Sequence, residues 1–539
     1  MSSRRRRMRA LLGTAAITAG ALVGANAASA APPDPAFGPI GSYATGLGDG
    51  SGETFAQHKN RLYVTSADDK SFDIVDISDP SDPERLHRID LKQYGPPMST
   101  TYGSPNSIDV AGDLIAVAVD SGDDRVRGEV LFFRPDGTFV RRVRAGFGPD
   151  MLTFTAGGRQ VLVANEGEPE GYAPGQFDPP GTVSIIDTNG IESGRRPSVR
   201  TVRFGAFNEG RARHDELPDG IRLNGPGATV ARDLEPEYVT VSHDGRTAYV
   251  SLQEANAIAV IDIARARVKR IVSMGLIDHS KPGSGIDASD DDGAINIANW
   301  PVFGMPMPDA IAAFRVKGEE YIITANEGDG REYDGFEDED RVKDLTLDAA
   351  AFPDAAVLQQ EANLGRLTVS VTDGLAGDGE YEKLHAFGSR SATILRPDGT
   401  RVWDSADGFE RRVATEQPAF FNSDNDEDTF DTRSDAKGPE PEAVAVGTIR
   451  GRTYAFVGLE RMGGMMVLDV STPADSRIIQ WANNRTYPFT VPPANPAVGP
   501  DSGPEIIRFV AAGKNPTKEP MVIVSNEVSG TVTFYAPLG

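Results

Sequence analysis

Short apolar strands separated by polar turns recur along the whole chain, and long amphipathic helical stretches are hard to find. One unit opens on an acid, runs through an apolar strand, turns at a Gly or polar pair, and closes a second strand on another acid. Glu237 opens EYVTV, SHDGR turns, and TAYVSLQE closes at Glu254. The same order runs from Glu442 (EAVAV) to Glu460 (YAFVGLE) and from Asp309 (DAIAAF) to Glu327 (YIITANE). It recurs from Asp150 (DMLTF) to Glu166 (VLVANE) and from Glu505 (EIIRFV) to Glu527 (MVIVSNE). Two weaker copies come first: Glu53 with RLYVTSA, and Asn106 with LIAVAVD ending at Asp120.

A third strand follows each pair: FDIVDIS, EVLFFRP, TVSIIDT, AIAVIDI, GRLTVSV, MMVLDVS and TVTFYAP. Outer strands then read ERLHRID, FVRRVRA, VRTVRFG, VKRIVSM, TRVWDS and RIIQWAN, six for seven triplets. Ile40 to Thr45 (IGSYAT) supplies the missing one, a closure that removes exposed sheet edges. The count predicts an all-β fold, a seven-bladed β-propeller closed by an N-terminal strand, with long acidic loop insertions on one face. The blades fall near 53–91, 106–146, 150–205, 237–275, 309–405, 442–482 and 505–539 plus 40–45. At 539 residues such a repeat architecture needs no second core.

The first thirty residues read as an export leader. Arg4, Arg5, Arg6, Arg7 and Arg9 precede an apolar stretch from Leu11 to Val23, and Ala28-Ser29-Ala30 offers a cleavage site. The arginine run suits the twin-arginine route and the general secretory route equally. The apolar stretch is short for a membrane span. Without cysteine there is no lipid-attachment residue and no disulfide. A secreted, monomeric bacterial protein is expected. Removing five arginines from a formal charge of −25 leaves −30, a surface that repels nucleic acid and anionic membrane.

In a propeller the start of each first strand and the end of each second strand share one face. The rim would gather Glu53, Asp150, Glu166, Glu237, Glu254, Asp309, Glu327, Glu442, Glu460, Glu505 and Glu527. Two carboxylates about 4 Å apart repel by roughly 4 kcal/mol at an effective dielectric near 20. Such a ring must be hydrated, partly protonated, paired with arginine or neutralised by a cation. Hard oxygens in that number fit Ca²⁺ better than Mg²⁺. The expected metal ligands are Glu166, Glu237, Glu254, Asp309, Glu327, Asp329, Glu442, Glu460, Glu505 and Glu527, with Ca²⁺ as the ion.

Insertions on the same face repeat the theme with Asp287, Asp290, Asp291 and Asp292, with Asp329, Glu332 and Asp334, and with Asp424, Asp426 and Asp428. None is a proper EF-hand loop, and each alone reads as a solvated acidic loop. Arg331, Arg341, Arg433 and Arg461 sit among these acids, most simply as salt-bridge partners. The sharper reading has such an arginine, beside bound cations, grip a small anionic or phosphate-bearing ligand. P-loop, nucleophile-elbow and zinc-protease motifs are absent from the sequence. Arg331, Arg461 and His279 are the candidates for a catalytic role; the six histidines are too scattered for a zinc site.

The stretches VANEGEPEGY, DLEPEYVTVSHDGRTAYVSLQEANAIAVIDI, GIDASDDDGAINIANWP, TANEGDGREYDGF, GPEPEAVAVGTIRGRTYAFVGLERMGG and SNEVSGTVTFY strongly resemble the choice-of-anchor I propeller family. FDIVDISDPSDP and MMVLDVSTPAD also look like LVIVD-type repeats. The resemblance runs from about residue 37 to 539. It implies an extracellular binding or matrix module of the kind found among echinoderm cell-surface glycoproteins linked to biomineral deposition. Because some bacterial members are called atypical alkaline phosphatases, it also implies an alternative, a Ca²⁺-dependent phosphoesterase. A lactonase or quinoprotein dehydrogenase is the last choice. Two departures count: the C-terminal anchor typical of relatives is not found, which predicts release from the cell. The loop TDGLAGDGEYEKL keeps only Asp373, Asp378 and Glu380 of a denser acidic pattern.

Overall fold

The computed structural model describes residues 33–95, 102–425, 429–487 and 501–538. The leader and Asp426 and Asp428 lie outside the described residues. Residues 33–35 carry no regular structure. The unit from Ala36 onward is all-β, built mostly of antiparallel four-stranded sheets, with three short α-helices among the described residues.

Among the described residues, seven sheets have four strands each. Their first strands are Ser51–His58, Pro105–Ala111, Pro149–Phe154, Pro236–Val241, Ile311–Val316, Pro441–Ile449 and Pro504–Val510. In six sheets the strands follow one another in chain order. The seventh takes its fourth strand from the other end of the chain: Ala36–Ala44 pairs antiparallel with Thr531–Leu538, covering the strand expected at 40–45. Each first strand packs against the next, and the seventh packs against the first.

Sequence accounts for this layering. Middle strands such as Leu114–Val119 and Met521–Asn526 are buried at every position, because both of their faces meet another sheet. Fourth strands such as Glu84–Asp90 are largely exposed and carry the charged residues that protect a sheet edge. Seven apolar clusters lie between neighbouring sheets, one for each pair, including Phe55, Val64, Ile523 and Phe534 between the first sheet and the seventh.

One strand assignment needs correction. The third strand of the fifth sheet is Ser391–Leu395, not the GRLTVSV segment, whose Thr368–Ser370 pairs instead with Glu339–Arg341. Residues between Asn326 and Ser391 form an insertion with its own core of Val342, Leu347, Phe352, Leu364, Val369 and Tyr381. An apolar run inside that core satisfies the strand pattern as well as the true third strand does.

Candidate cation site

The acids at the strand starts are aimed by a repeated backbone device. A residue in the left-handed region precedes a proline, and the acid follows: Gly148-Pro149-Asp150, Glu235-Pro236-Glu237, Met307-Pro308-Asp309, Glu440-Pro441-Glu442 and Gly503-Pro504-Glu505. Three of those left-handed residues, Glu235, Met307 and Glu440, are not glycine, and such backbone persists where surrounding structure enforces it. Proline is tolerated as the first residue of a strand. A register shift then follows in six of the seven first strands, so that Asp150, Glu237, Glu442 and Glu505 sit in bulges. A bulge leaves its extra residue out of the ladder and re-aims its side chain.

The acids at the second-strand ends are set by buried asparagines. Asn165, Asn326 and Asn526 precede Glu166, Glu327 and Glu527, and each ties its strand to the third one. Asn326 Nδ2 donates to Ser391 Oγ at 3.1 Å and Thr393 Oγ1 at 2.8 Å, and Asn165 Nδ2 donates to Ser184 Oγ at 3.1 Å. Behind Glu327 the chain passes so close to Gly388 that a Cβ there would lie 2.0 Å from the Glu327 carbonyl oxygen. Only glycine fits.

These two devices bring carboxylates together. Single oxygens of Asp309, Glu327 and Glu442 all lie within 4.8 Å of one another, and so do those of Glu327, Glu440 and Glu460. Glu327 is common to both sets. The wider ring is felt electrostatically. Burial first, then neighbouring carboxylates, pushes Glu53 up to about 9 and Glu505 to about 8, and drives Glu237, Asp309, Glu442 and Glu166 well above the usual range. Asp150, itself raised to about 7 by burial and Glu168, adds to the rise at Glu53, Glu166, Glu237, Asp309 and Glu505. Those five belong to the first, third, fourth, fifth and seventh sheets. Glu237, Asp309, Glu327 and Glu442 are each only partly buried. One oxygen each of Glu237, Glu254 and Glu442 is buried without a hydrogen-bond partner.

Two residues at the centre were not anticipated. Lys437 Nζ donates to Glu327 Oε1 at 2.9 Å and lies 3.6 Å from Glu440 Oε2. Glu440, fully buried, also accepts from Arg433 Nε at 2.9 Å and Arg461 Nε at 3.0 Å. Burial opposes its ionisation, yet Lys437, Arg433 and Arg461 together hold it well below the carboxylate range. Glu440 therefore stays charged and fixes three cations beside the ring. The signal was present: Glu235-Pro236-Glu237 and Glu440-Pro441-Glu442 are the same E-P-E triplet, whose first acid is buried against arginine and whose second joins the ring.

The arginines named from sequence are all engaged. Arg331, 1% exposed, grips Glu235 Oε1 at 2.6 Å and Oε2 at 2.8 Å, and reaches Asp233, Asn224 and Tyr172. Arg461 contacts Glu440, Glu460 and Asp424, and Arg341 pairs with Asp435 at 2.7 Å. The salt-bridge reading is what is found. His279 is buried, with Nδ1 2.8 Å from the Ser284 carbonyl, and burial lowers its pKa to about 4. It is a neutral packing residue of the segment that joins the fourth sheet to the fifth, and it belongs to neither carboxylate set. Among the insertion acids, Asp290 pairs with Arg366 and Asp373 with Arg222. Asp329 lines a cleft of about 500 Å³ shared with Glu168, Tyr333, Glu339, Arg433 and Lys437, and burial then Glu327 raises it to about 7 despite Lys437.

Among the described residues no helix is long and apolar enough to cross a membrane. The chain matches the choice-of-anchor I domain over residues 53–473. It is 32% identical to gigasin-3a of Magallana gigas over 187 residues, 33% of this chain and 66% of that protein. It is 31% identical to a mesenchyme-specific cell surface glycoprotein of Strongylocentrotus purpuratus over 319 residues, 51% of this chain and 40% of that one. The matches thus span less than two thirds of either relative. Solved structures similar to it include Kuenenia stuttgartiensis hydrazine synthase (TM-score 0.45, 12% identity, 91% of this chain and 98% of that one). Another is the Cps50 (Swd1) β-propeller domain of Myceliophteria thermophila (TM-score 0.42, 8% identity, 93% and 100%). Likenesses of that size carry no argument about activity. The family match does not depend on them: the chain belongs to the choice-of-anchor I domain family.

Proposed function

We propose that this protein is an exported seven-bladed β-propeller, closed by Ala36–Ala44, whose acid-lined mouth binds Ca²⁺ and which serves as an extracellular binding or matrix module. The observation that carries the reading is Glu327, shared by two carboxylate sets whose oxygens lie within 4.8 Å. Asp309, Glu327 and Glu442 would hold the ion, with Glu460 beside them, and Ca²⁺ accepts six to eight such hard oxygens in loose geometry. The partnerless oxygens of Glu237, Glu254 and Glu442 favour cation binding beside them, since buried polar atoms are ordinarily paired. Lys437, Arg433 and Arg461 neutralise the Glu440 and Glu460 side, and among the described residues no base pairs with Asp309 or Glu442. The similarity to a mesenchyme-specific cell surface glycoprotein and the leader read from the sequence support the extracellular placement.

Elemental analysis of purified protein, followed by calorimetric titration of chelator-stripped samples, tests the reading. Bound calcium and saturable uptake are expected, with Glu327→Gln weakening uptake about tenfold or more, the equivalent of about 1.4 kcal/mol. Wild-type protein that takes up no calcium would end it.

A Ca²⁺-dependent phosphoesterase is the second reading, favoured by the cleft in which Arg341, Arg433 and Lys437 stand beside Asp329 and Glu339. A phosphate there would meet fixed cations next to the metal ligands. Arg331, enclosed by Glu235, would hold the site together rather than touch substrate. Calcium-dependent release of p-nitrophenol from its phosphate ester, abolished by Lys437→Met, is the expected outcome on this reading. Release insensitive to both chelation and that substitution would exclude it.

A further inference from the structure

At the opposite end of the first strands the chemistry reverses. A cleft of about 750 Å³ opens between the turn Gln57–Asn60 and the connection Val510–Lys518. It lies where the first and seventh sheets meet. No aspartate or glutamate is among its lining residues, in a protein with 79 acids and a net charge of −25. Lys59, Lys514 and Lys518 line it, are exposed, and form no ion pair with the described residues. Elsewhere the basic groups around the acid ring are consistently paired.

Two further lining residues carry nitrogens in want of a partner. Arg508 donates from Nη1 to Asp109 Oδ1 at 2.9 Å, leaving its Nε buried and unbonded; His58 Nε2 is likewise buried without a partner. Burial and Lys59 depress protonation of His58, with Asp113 opposing and Lys514 adding to the depression. The wall is pre-formed. Gln57 Nε2 donates to the Lys514 carbonyl at 3.3 Å, joining the two sheets across the cleft. Buried Asn515 donates to the carbonyls of Val510, Ala511 and Glu519 at 3.3, 3.2 and 2.9 Å, fixing the loop that carries Lys514 and Lys518.

We propose that this cleft is a binding site for a multiply charged oxyanion, a phosphate or sulfate ester, held by Lys59, Lys514 and Lys518 with Arg508 and His58 at its floor. The chemistry is that of charge-assisted hydrogen bonding to tetrahedral oxygens, for which lysine acts as a point charge and arginine as a directional donor. The site is separate from the carboxylate ring. Glu53 and Glu505 lie five residues from His58 and Val510 along the same strands, about 16 Å at roughly 3.3 Å per residue. A molecule with anionic groups on one surface would meet this end of the protein, and cations would meet the other.

The test uses chelator-treated full-length protein, so that calcium at the ring contributes nothing. Inorganic pyrophosphate is titrated in one arm and a sulfated disaccharide in the other, at low and at physiological salt. Saturable binding in either arm is expected, and the tighter arm identifies the source of the oxyanion. The double variant Lys514→Gln/Lys518→Gln should weaken it about tenfold or more, while Lys269→Gln, exposed on the strand Arg267–Ser273 and outside both sites, leaves it unchanged. These lysines are exposed, so the variants should fold, and an unchanged melting temperature verifies that. Absence of saturable binding in both arms overturns the proposal, as does binding that survives the double substitution.

Discussion

The two ends of the seven first strands differ in both charge and construction. At one end, acids follow a left-handed residue and a proline, sit in bulges, and crowd until burial and mutual repulsion raise several of them far above their ordinary range. At the other end, hairpin turns carry Lys59, Arg159, Arg246, Lys317 and Arg450, with Lys514 and Lys518 in the longest connection. Among the described residues, the turn at Gly112-Asp113 is the one between first and second strands that lacks a base. Turn-end bases can spread into solvent and need no partner. The acids cannot spread, because the strands that carry them are packed side by side. One end is therefore a crowded, fixed cluster of acids and the other largely a surface, with one cleft as its exception.

The largest contrast lies in what a single lost cation does. Arg331→Met should destabilise the protein by about 3–5 kcal/mol, because Glu235 and Asp233 would be left buried and uncompensated. Chemical denaturation would read this directly, and a loss under about 1 kcal/mol would mean that the acid end is less tightly knit than its geometry indicates.

A buried histidine outside both carboxylate sets should contribute to the acid-side pH response. His279 has its pKa lowered from 6.5 to about 4, so the unfolded chain binds the proton more tightly than the folded one. Its contribution to stability is complete above pH 6.5 and is lost as pH falls toward 4, about 3 kcal/mol in all. His279→Gln should flatten that part of the stability profile. An unchanged profile would assign the acid response to the carboxylates instead.

Calcium should act on one end only. At a hundredfold excess over its dissociation constant it should stabilise the folded protein by about 2.7 kcal/mol, and a chelator should reverse this. The same gain is expected in Lys514→Gln and a much smaller one in Glu327→Gln. Equal gains in both variants would erase the distinction between the ends. The smallest effect belongs to the turn end: Lys59→Gln should change stability by no more than about 0.5 kcal/mol.

Much of this was legible in the sequence, for a physical reason. Strands buried on both faces must be apolar, turns must be polar, and the acids that bracket each pair stand out against both. Glu327, Glu442, Glu460 and Asp309 stand out on that ground, and Glu327 has a carboxylate oxygen within 4.8 Å of one from each of the other three. Glu440 and Lys437 were not, because they lie in a loop where hydrophobic periodicity says nothing; the repeated E-P-E triplet was the readable trace. The third strand of the fifth sheet was misplaced because the insertion has a core of its own, and a strand pattern cannot say which core an apolar run joins. Arg331 read as a candidate for ligand contact because its neighbours in sequence are acidic, whereas its partners Glu235 and Asp233 come from another sheet's approach.

The most direct measurement is an anomalous difference map from crystals grown with calcium. A peak is expected among the carboxylates of Asp309, Glu327 and Glu442, within Ca²⁺–oxygen distance of at least Glu327. A well-ordered map with calcium at saturating concentration and only water between those three side chains would contradict the account.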